Sequence, residues 1–582
     1  MGESAFKLKE LQMRLINLEY NFSDENYNEE KIIDKIERIY LEETGEPLNA
    51  TIQIKHMVPS GETSEYPSDA KGTAILLNYD NENENADEML LISRGTVSFE
   101  DWIDNTFSIG VGTGGGQYAR DTYAFLNTAR EEWDVKEVPI YGLGHSKAHN
   151  TLTQMQLRTN VFEEVNTYNG AQSNALQQIT GDYVFNQAVI TEFGLENKDS
   201  NAIRSIPPED LEAFAKDYYK DKGTNIHQDR SKSDFLYALD VMPAMFVVGN
   251  VQEHQTDHVN DGFVGAMESI PKEDLQLLGD FLAPYGEVYA EDGFGGVLQV
   301  AIQDAVEFYL ENPEVEPMDF DAIKSSMGGL VEGLGEAGYL SEEDAQLLKL
   351  EVQMLLGSVE SIYTRVYEGE GLSLKRGLDD AAYAYLSYNY LLEPRFKNIS
   401  ELLDGIGEAA YEHHSLEALM NEIAVGKSYQ GGEMYLETGG GPGGQGQITL
   451  NLSQTLEAYA AITSVLDEQD TLLETYLAMM EGNYIDYYEN KKKQLGTKMS
   501  NIESNYQSYR HLLPTEYSGL ITNLKFDEFF KPLVGAPMEG MVMLVKLNRE
   551  RIETTAEEMR KALEEIFDVE HNVAGMFKHL SG

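Results

Sequence analysis

Hydrophobic spacing divides the chain into segments with different predicted secondary structure. Over residues 1–48, leucine and isoleucine recur every three or four positions, which is the period of amphipathic helices. Over residues 49–275, short apolar runs alternate with helical patterns, and this alternation predicts a mostly parallel sheet with flanking helices. The predicted strands are TAILLNY (73–79), MLLIS (89–93), EVPIYGLG (137–144), EVNTYN (164–169) and AMFVVGN (244–250).

Beyond residue 275 the patterns are helical. Residues 276–437 carry leucine, alanine and glutamate at helical spacing, and we predict no strand there. The glycine-rich stretch 438–447 is unsuited to a packed element, so we interpret it as a linker or an exposed loop. Residues 448–582 are predicted to be helical again, with a break near Gly482 and Asn483 that indicates a helical hairpin.

The last predicted helix has side chains repeating every seven residues, as in a coiled coil. The polar members of its second stripe leave two interpretations open: the helix packs within its own bundle, or it presents a surface to a small helical partner or chaperone. The first stripe is Val545, Ile552, Met559, Ile566 and Val573, and the companion stripe is Asn548, Thr555, Ala562, Val569 and Met576.

Composition narrows the range of functions. The 582 residues include 43 lysines and arginines against 100 aspartates and glutamates, which gives a net charge of −57. Such a chain repels phosphate backbones, so we predict no nucleic-acid partner, and it also repels anionic membrane surfaces. Because there is no cysteine, disulfides, thiolate nucleophiles and cysteine-ligated metals are excluded, and we predict no metal or other cofactor.

Targeting signals are weak in this sequence. No stretch stays apolar for the 18 residues that a transmembrane helix needs, so we predict no transmembrane segment. The first 20 residues are charged every few positions and lack the apolar core of a signal peptide. We therefore expect either a cytoplasmic protein or one that is exported without a cleaved signal.

The strongest chemical motif is GLGHSKAHN (142–150), which follows a predicted strand and precedes a predicted helix. A strand, a sharp turn and a helix form the setting of a nucleophile elbow, in which a serine is held in a strained conformation. Gly144 and Ala148 are small enough for strand and helix to approach each other around Ser146. The helix N-terminus would stabilise negative charge that develops beside this serine. The alternative is an ordinary junction in which Ser146 caps the helix.

A second motif, Arg94-Gly95-Thr96, follows the predicted strand at 89–93. Together with Asp101-Trp102 and the later Gly-His-Ser elbow, it resembles the class 3 lipase family of α/β-hydrolases. The resemblance covers roughly residues 50–275 and implies an α/β-hydrolase domain followed by an all-helical region. It also implies that Thr96 and the backbone N–H of Lys147 form the oxyanion hole.

The elbow is similar to the GHSKGGN form found in a bacterial branch of that family. Lys147 and Asn150 match this form, whereas Ala148 and His149 depart from it.

The resemblance also implies an acid and a base that follow Ser146 in the order Ser, Asp, His. Asp234, in SDFLYAL (233–239), resembles the acid of the family, and Asp229 is the second candidate. For the base, His258 in HVNDGF (258–263) leads and His254 is the alternative. The other histidines considered are His413 and His414, in the predicted helical part, and His145 and His149, which flank the serine and are expected to have packing or rim roles.

Three other signals receive weaker interpretations. DNENENADE (80–88) resembles a calcium loop in composition but lacks its glycine and its final glutamate, so we expect a polar hairpin loop. The glycines in 112–116 lack the Gly-Lys-Ser/Thr of a phosphate loop, and we expect a mobile loop near the active-site mouth. The three lysines 491–493 are interpreted as a solvated helix face.

These observations predict a serine ester hydrolase, a lipase or phospholipase, that acts through an acyl-enzyme. The helices after the linker resemble those of WXG and LXG proteins, which are substrates of type VII secretion, although EGNY stands at the expected turn. That resemblance implies an exported bacterial effector or toxin with a C-terminal targeting region. The alternative is a non-enzymatic binding or adaptor protein on a degenerate hydrolase scaffold.

Overall fold

A computed structural model gives the fold of the chain. The chain divides into two compact units, one formed by Met1–Glu43 and Leu48–Met434 and the other by Thr44–Pro47 and Tyr435–Gly582. The structure describes residues 4–21, 28–57, 70–79, 88–95, 116–135, 137–195, 206–257, 320–336, 338–367, 414–437, 449–512 and 536–566, together with 66, 68, 109, 110, 112, 202, 203, 395, 398, 399 and 402.

The first unit is built on a seven-stranded sheet. From one edge to the other its strands are β1 (Ala50–His56), β2 (Gly72–Tyr79), β3 (Glu88–Ser93), β4 (Ile140–His145), β5 (Glu164–Tyr168), β7 (Ile226–Ser231) and β9 (Asn250–His254). The pairs β1–β2 and β2–β3 are antiparallel, and every later pair is parallel. Two short strands, β6 (Ser173–Asn174) and β8 (Met245–Phe246), form a separate antiparallel pair.

Helices cover both faces of this sheet. The described helices of the first unit are α1 (Lys9–Tyr20), α2 (Glu29–Thr44), α3 (Gly116–Glu132), α4 (Lys147–Thr159), α5 (Ala175–Gly181), α6 (Tyr183–Glu192), α7 (Pro208–Tyr219), α8 (Phe235–Ala238) with a 3₁₀ turn at Leu239–Val241, α9 (Phe320–Glu336), α10 (Glu342–Tyr367) and α11 (Leu416–Ile423). Met89 and Leu91 of β3 join the core beneath α3 and α4. Their neighbours Leu90 and Ile92 are also buried and project from the opposite face, where α1 packs on β3 and β4.

The first unit ends in strand β10 (Lys427–Gln430) and the start of β11 (Glu433–Glu437). In the second unit, β11 pairs with β12 (Thr449–Asn451), and helices follow. These are α12 (Leu452–Met480), a π turn (Glu481–Ile485), α13 (Asp486–Ser504), α14 (Tyr506–Tyr509), a 3₁₀ turn (Arg510–Leu512) and α15 (Ala536–Ile566).

The predicted α/β architecture with a helical C-terminal region is confirmed at this level, and the first four predicted strands correspond to β2–β5. The run 244–250 forms the two-residue β8 and the first residue of β9, because positive φ angles at Ala244 and Gly249 interrupt the extended chain. The expectation of no strand over 276–437 was wrong. Strands β10 and β11 flank Gly431 and Gly432, whose positive φ angles suit a tight hairpin turn.

Two predictions about the second unit are also corrected. The break near Gly482 is a π turn through which the helix continues, so the chain does not reverse there. In α15 the first predicted stripe is partly buried at Val545, Ile552 and Met559, as expected. The companion stripe at 548, 555 and 562 is exposed. The less exposed companions are instead Val542 and Arg549, which are partly buried, and Ala556, which is buried, and Arg549 donates to Asp470 of α12.

None of the helices in the described part of the chain is long and apolar enough to cross a membrane. The predicted linker at 438–447 and most of the acidic run 80–88 lie outside the described residues.

Candidate active site

Ser146 occupies the turn between β4 and α4. Its backbone has φ 62° and ψ −131°, a region that residues with a Cβ rarely adopt, and such strain is typical of functional turns. Its side chain makes no capping hydrogen bond to α4, so the alternative interpretation of Ser146 as a helix cap is not supported. The geometry is that expected of a nucleophile elbow.

Small residues allow the tight packing around this turn. A Cβ added to Gly144 would lie 2.9 Å from the Cβ of Ala148, which explains how the strand and the helix come so close. A Cβ added to Gly95, just after β3, would lie 2.8 Å from the Cβ of Ser146 and 2.6 Å from the carbonyl oxygen of His145. Gly95 therefore lies directly beside the serine.

Of the two residues predicted for the oxyanion hole, Lys147 is among the described residues and Thr96 is not. Lys147 is the first residue of α4, so its backbone N–H lies at the positive end of the helix dipole, next to Ser146. The Lys147 ammonium lies 3.2 Å from the ring centroid of Tyr118 on α3, which keeps the side chain away from water in a cation–π contact. Thr96 lies outside the described residues, although the preceding Gly95 is described.

Asp234 follows β7 and is paired with His414. The imidazole Nδ1 of His414 lies 3.0 Å and 3.1 Å from the two carboxylate oxygens of Asp234, and both side chains are buried. The backbone N–H of Leu236 also donates to this carboxylate, at 2.9 Å. With Nδ1–H donating to Asp234, the lone pair of neutral His414 is on Nε2, which is the tautomer that a general base needs.

The histidine predicted as the alternative base has a different partner. Nε2 of His254 lies 2.7 Å from Oδ1 of Asp229, and Lys9 donates to the same oxygen at 2.6 Å. The structure therefore joins His254 to the second candidate acid, not to Asp234. His258, the leading candidate for the base, and His413 lie outside the described residues.

Two side chains hold the backbone of His414. Nε2–H of His145 donates to the His414 carbonyl oxygen at 2.9 Å, and the Asn169 amide donates to the same oxygen at 3.2 Å. The amide oxygen of Asn169 in turn accepts from the backbone N–H of Ser231, at the end of β7. The His145 and His414 rings lie 4.4 Å apart, tilted by 34°. The base candidate is thus attached to residues that directly follow, or belong to, the ends of β4, β5 and β7.

Burial and the neighbouring His414 lower the pKa of His145 well below its ordinary value, so His145 is neutral. Burial likewise lowers the pKa of His149 to about 4. His149 lies on α4 with Nδ1 2.7 Å from the Thr167 hydroxyl, and a Cβ at Gly170 would meet its side chain at 2.2 Å. Both flanking histidines are therefore packed and hydrogen-bonded, as expected from the sequence.

Asn150 ties the start of α4 to the segment before α5. Its amide donates to the Gln172 carbonyl oxygen at 2.7 Å and to the Gln177 side chain at 3.0 Å, and its own oxygen accepts from Gln154 and Gln177. Every one of these groups is buried. The network fixes the helix that follows the serine, because each buried polar atom in it would lose a partner if the helix moved.

Few features of the sequence point to His414 as the base. It lies far along the chain, next to the short helix α11, whose N-cap is Ser415. The feature that could have pointed to His414 is the chain order of serine, acid and base, since His414 follows both Ser146 and Asp234. Among the described residues, no group of three or more His, Asp or Glu side chains is arranged to hold a metal ion.

Two comparisons with known proteins match regions that contain residues of this site. A family described as a domain of unknown function (DUF6792) matches residues 10–255. A Bacillus subtilis (strain 168) protein described as uncharacterized, YvcB, is 26% identical over 649 aligned residues, which cover 99% of each chain. No solved structure gives a significant match. The family match includes Ser146 and Asp234 and ends before His414, whereas the similarity to YvcB extends along nearly the whole chain.

Proposed function

We propose that the protein is a serine ester hydrolase of the α/β-hydrolase type, with Ser146 as nucleophile, His414 as general base and Asp234 as the acid that orients it. One observation carries this proposal. A strained serine at a strand–helix elbow lies at the carboxyl edge of the parallel strands, where the buried Asp234–His414 pair is also attached. That edge is where open α/β sheets bind their ligands.

The proposed base differs from the one expected from the sequence. His414 replaces His258 and His254, because His414 is hydrogen-bonded to Asp234 and its ring packs on His145, the residue before the nucleophile. His254 is held by Asp229 and Lys9. The order Ser146, Asp234, His414 agrees with the chain order of α/β-hydrolase triads.

The reaction proceeds in two steps. Ser146 Oγ attacks the ester carbonyl carbon while its proton passes to Nε2 of His414, and the alcohol leaves with that proton. Water then gives a proton to His414 and attacks the acyl carbon, and His414 returns the proton to Ser146 Oγ as the bond between Ser146 and the acyl group breaks and the acid is released. The N–H of Lys147 stabilises the oxyanion in both steps, and Thr96 is its proposed partner.

The substrate class and the export route rest on the sequence resemblances. We propose an acyl ester of lipid type, either a neutral lipid or a phospholipid. Because the net charge of −57 repels an anionic surface, we expect activity on vesicles to fall as their anionic lipid content rises. Export by a type VII-like route, with 448–582 as the targeting region, stays a prediction; secretion that is unchanged after deletion of these residues would contradict it.

The test is active-site labelling of the full-length protein with a fluorophosphonate probe, combined with hydrolysis of p-nitrophenyl butyrate. We expect a single adduct on Ser146 and loss of both signals in Ser146→Ala. Ser173→Ala is the matched control, because Ser173 is a buried serine on β6 outside the proposed site. A folded wild-type protein that gives no Ser146 adduct would overturn the proposal and favour a binding protein on a hydrolase scaffold.

A further inference from the structure

We infer that Tyr20, the last residue of α1, is a positioning residue for this site. Its hydroxyl joins the turn after β3 to the backbone of His414 through the ring of His145. This inference rests on the proposed function, since the parts that Tyr20 joins are the proposed oxyanion turn and the proposed base. It goes beyond the triad, because α1 lies outside the strands and helices that carry the serine and the acid.

The contacts form one continuous chain of hydrogen bonds. The backbone N–H of Gly95 donates to Oη of Tyr20 at 3.1 Å. Oη lies 2.9 Å from Nδ1 of His145, and Nε2 of His145 lies 2.9 Å from the His414 carbonyl oxygen. Four segments that are distant in sequence are therefore connected in series.

Each donor in this chain can be assigned. A carbonyl oxygen only accepts, so Nε2 of His145 carries a proton. His145 is neutral, because burial and the nearby His414 depress its pKa, so its Nδ1 is an acceptor. The hydroxyl of Tyr20 must therefore donate to Nδ1, and the oxygen of the same hydroxyl accepts from Gly95. The direction runs from Gly95 through Tyr20 and His145 to His414.

Tyr20 is packed closely against both of its hydrogen-bond partners, Gly95 and His145. A Cβ at Gly95 would lie 2.5 Å from Oη of Tyr20, so the tyrosine is packed directly against the turn that precedes Thr96. The ring of Tyr20 meets the ring of His145 edge-on, with centroids 5.6 Å apart. Loss of the hydroxyl would leave the Gly95 N–H and Nδ1 of His145 without this shared partner. The hydrogen bonds that connect Gly95 to the backbone of the proposed base, His414, would then be broken.

The first experiment compares Tyr20→Phe with Tyr168→Phe in the full-length protein. Tyr168 is the matched control, because its buried hydroxyl also bonds α1, donating to Oε1 of Gln12 at 2.6 Å, without contacting Gly95 or His145. We expect Tyr20→Phe to lower kcat and the rate constant for fluorophosphonate labelling about 10- to 100-fold, with KM changed less than about twofold. Tyr168→Phe should keep both rates within about twofold, because it loosens α1 to a similar degree without breaking the chain.

The second experiment tests whether Tyr20 acts through His145. If both belong to one chain, the variant Tyr20→Phe/His145→Gln should lose no more activity than the more impaired single variant. Fully additive losses would overturn the inference. The imidazole ¹⁵N spectrum of the wild type should show His145 with Nδ1 unprotonated, and its Nδ1 resonance should shift in Tyr20→Phe.

Failure of this inference is distinguishable from failure of the proposed function. If wild-type Ser146 is labelled and Tyr20→Phe reacts as fast as the wild type, only the role of Tyr20 is overturned. If wild-type Ser146 is not labelled at all, the proposed function is overturned, and the positioning role falls with it.

Discussion

Nδ1 of His414 lies 3.0 Å from Oδ2 of Asp234, although 180 positions separate the two residues in the sequence. Both side chains are almost completely shielded from water. A buried carboxylate is costly unless its oxygens accept hydrogen bonds, so this pairing fixes His414 to the loop after β7. The helical segment that contains His414 is thereby made part of the site at the sheet edge.

His414 is predicted to be the base, and this can be tested directly. We expect His414→Gln to lower kcat by about 10⁴-fold or more, because the proton of Ser146 then has no acceptor. His254→Gln is the matched control, because it removes another imidazole of the first unit, one that is paired with Asp229. The kcat of this variant should stay near the wild-type value. Full activity of His414→Gln in a folded protein would exclude this base.

Asp234→Asn keeps the size of the side chain but removes its charge. An asparagine amide can donate to Nδ1 of His414 and so favours the wrong tautomer of the ring, and we expect kcat to fall by about 10³- to 10⁴-fold. Asp229→Asn, at the other carboxylate–imidazole pair, should have little effect on the same ester substrate. If the two variants were equally impaired, the assignment of the acid to Asp234 would be wrong.

Strands β2–β5, in the middle of the sheet, were predictable from the sequence, whereas β1, β7 and β9 were not. Strands β2 and β3 are buried on both faces, so they are continuous apolar runs. Strand β7 reads IHQDRS and is polar, yet Gln228, Asp229 and Arg230 are buried, each with a hydrogen-bond partner on another segment. Hydrophobic periodicity cannot detect a strand whose buried side chains are satisfied by polar partners.

The candidate site divides in the same way. The position of Ser146 at an elbow follows from local order, since strand, small residues, serine and helix are contiguous in the sequence. The pairing of Asp234 with His414 depends on how a distant segment folds back, and no local pattern encodes it. The contribution of Tyr20 was missed for the same reason, because α1 is also remote in sequence from the elbow.

Gly95→Ala should disable the site by steric conflict. The new Cβ would lie 2.5–2.8 Å from Tyr20 Oη, the His145 carbonyl oxygen and the Ser146 Cβ, so the turn after β3 would have to move. We expect labelling of Ser146 to slow by about 100-fold and the melting temperature to drop. Gly357→Ala, in α10 with no atom within 4 Å of the added methyl group, should be neutral or slightly stabilising. Equal behaviour of the two variants would contradict this account.

A buried ionic cluster should contribute strongly to the stability of the first unit. Arg14 on α1 bonds Glu42 at 2.5 Å and Glu43 at 3.0 Å, and all three side chains are nearly inaccessible to water. Arg14→Met leaves the two carboxylates without this cation, and we expect the free energy of unfolding to fall by about 3–5 kcal/mol. Lys220→Met, which breaks an exposed ion pair with Asp217, should leave it unchanged within error in the same urea titration.

Glu19 is predicted to make stability depend on pH. Burial raises its pKa from 4.5 to about 8, although the Thr73 hydroxyl, which donates at 2.5 Å, and the positive charges of Arg94 and Lys71 oppose the rise. Nδ1 of His56 also faces it, 3.7 Å from the other carboxylate oxygen. Between these two pKa values the folded protein holds more protons than the unfolded chain. The free energy of unfolding should therefore fall as pH rises from about 4.5 to about 8 and level off above that.

Glu19→Gln isolates this effect, because glutamine resembles the protonated carboxyl group at every pH. The stability of the wild type relative to this variant should decline between pH 5 and pH 9, by at most about 5 kcal/mol, since each pKa unit corresponds to about 1.4 kcal/mol. Tryptophan fluorescence in urea is a suitable measurement, because Trp133 packs against the core of the first unit. The overall charge of −57 also lowers the free energy of unfolding as pH rises, because repulsion between the negative charges increases. The comparison with the variant removes this shared contribution. If the stability difference stayed constant across this range, Glu19 would have to be ionised in the folded protein at pH 5, and its burial would not govern its protonation.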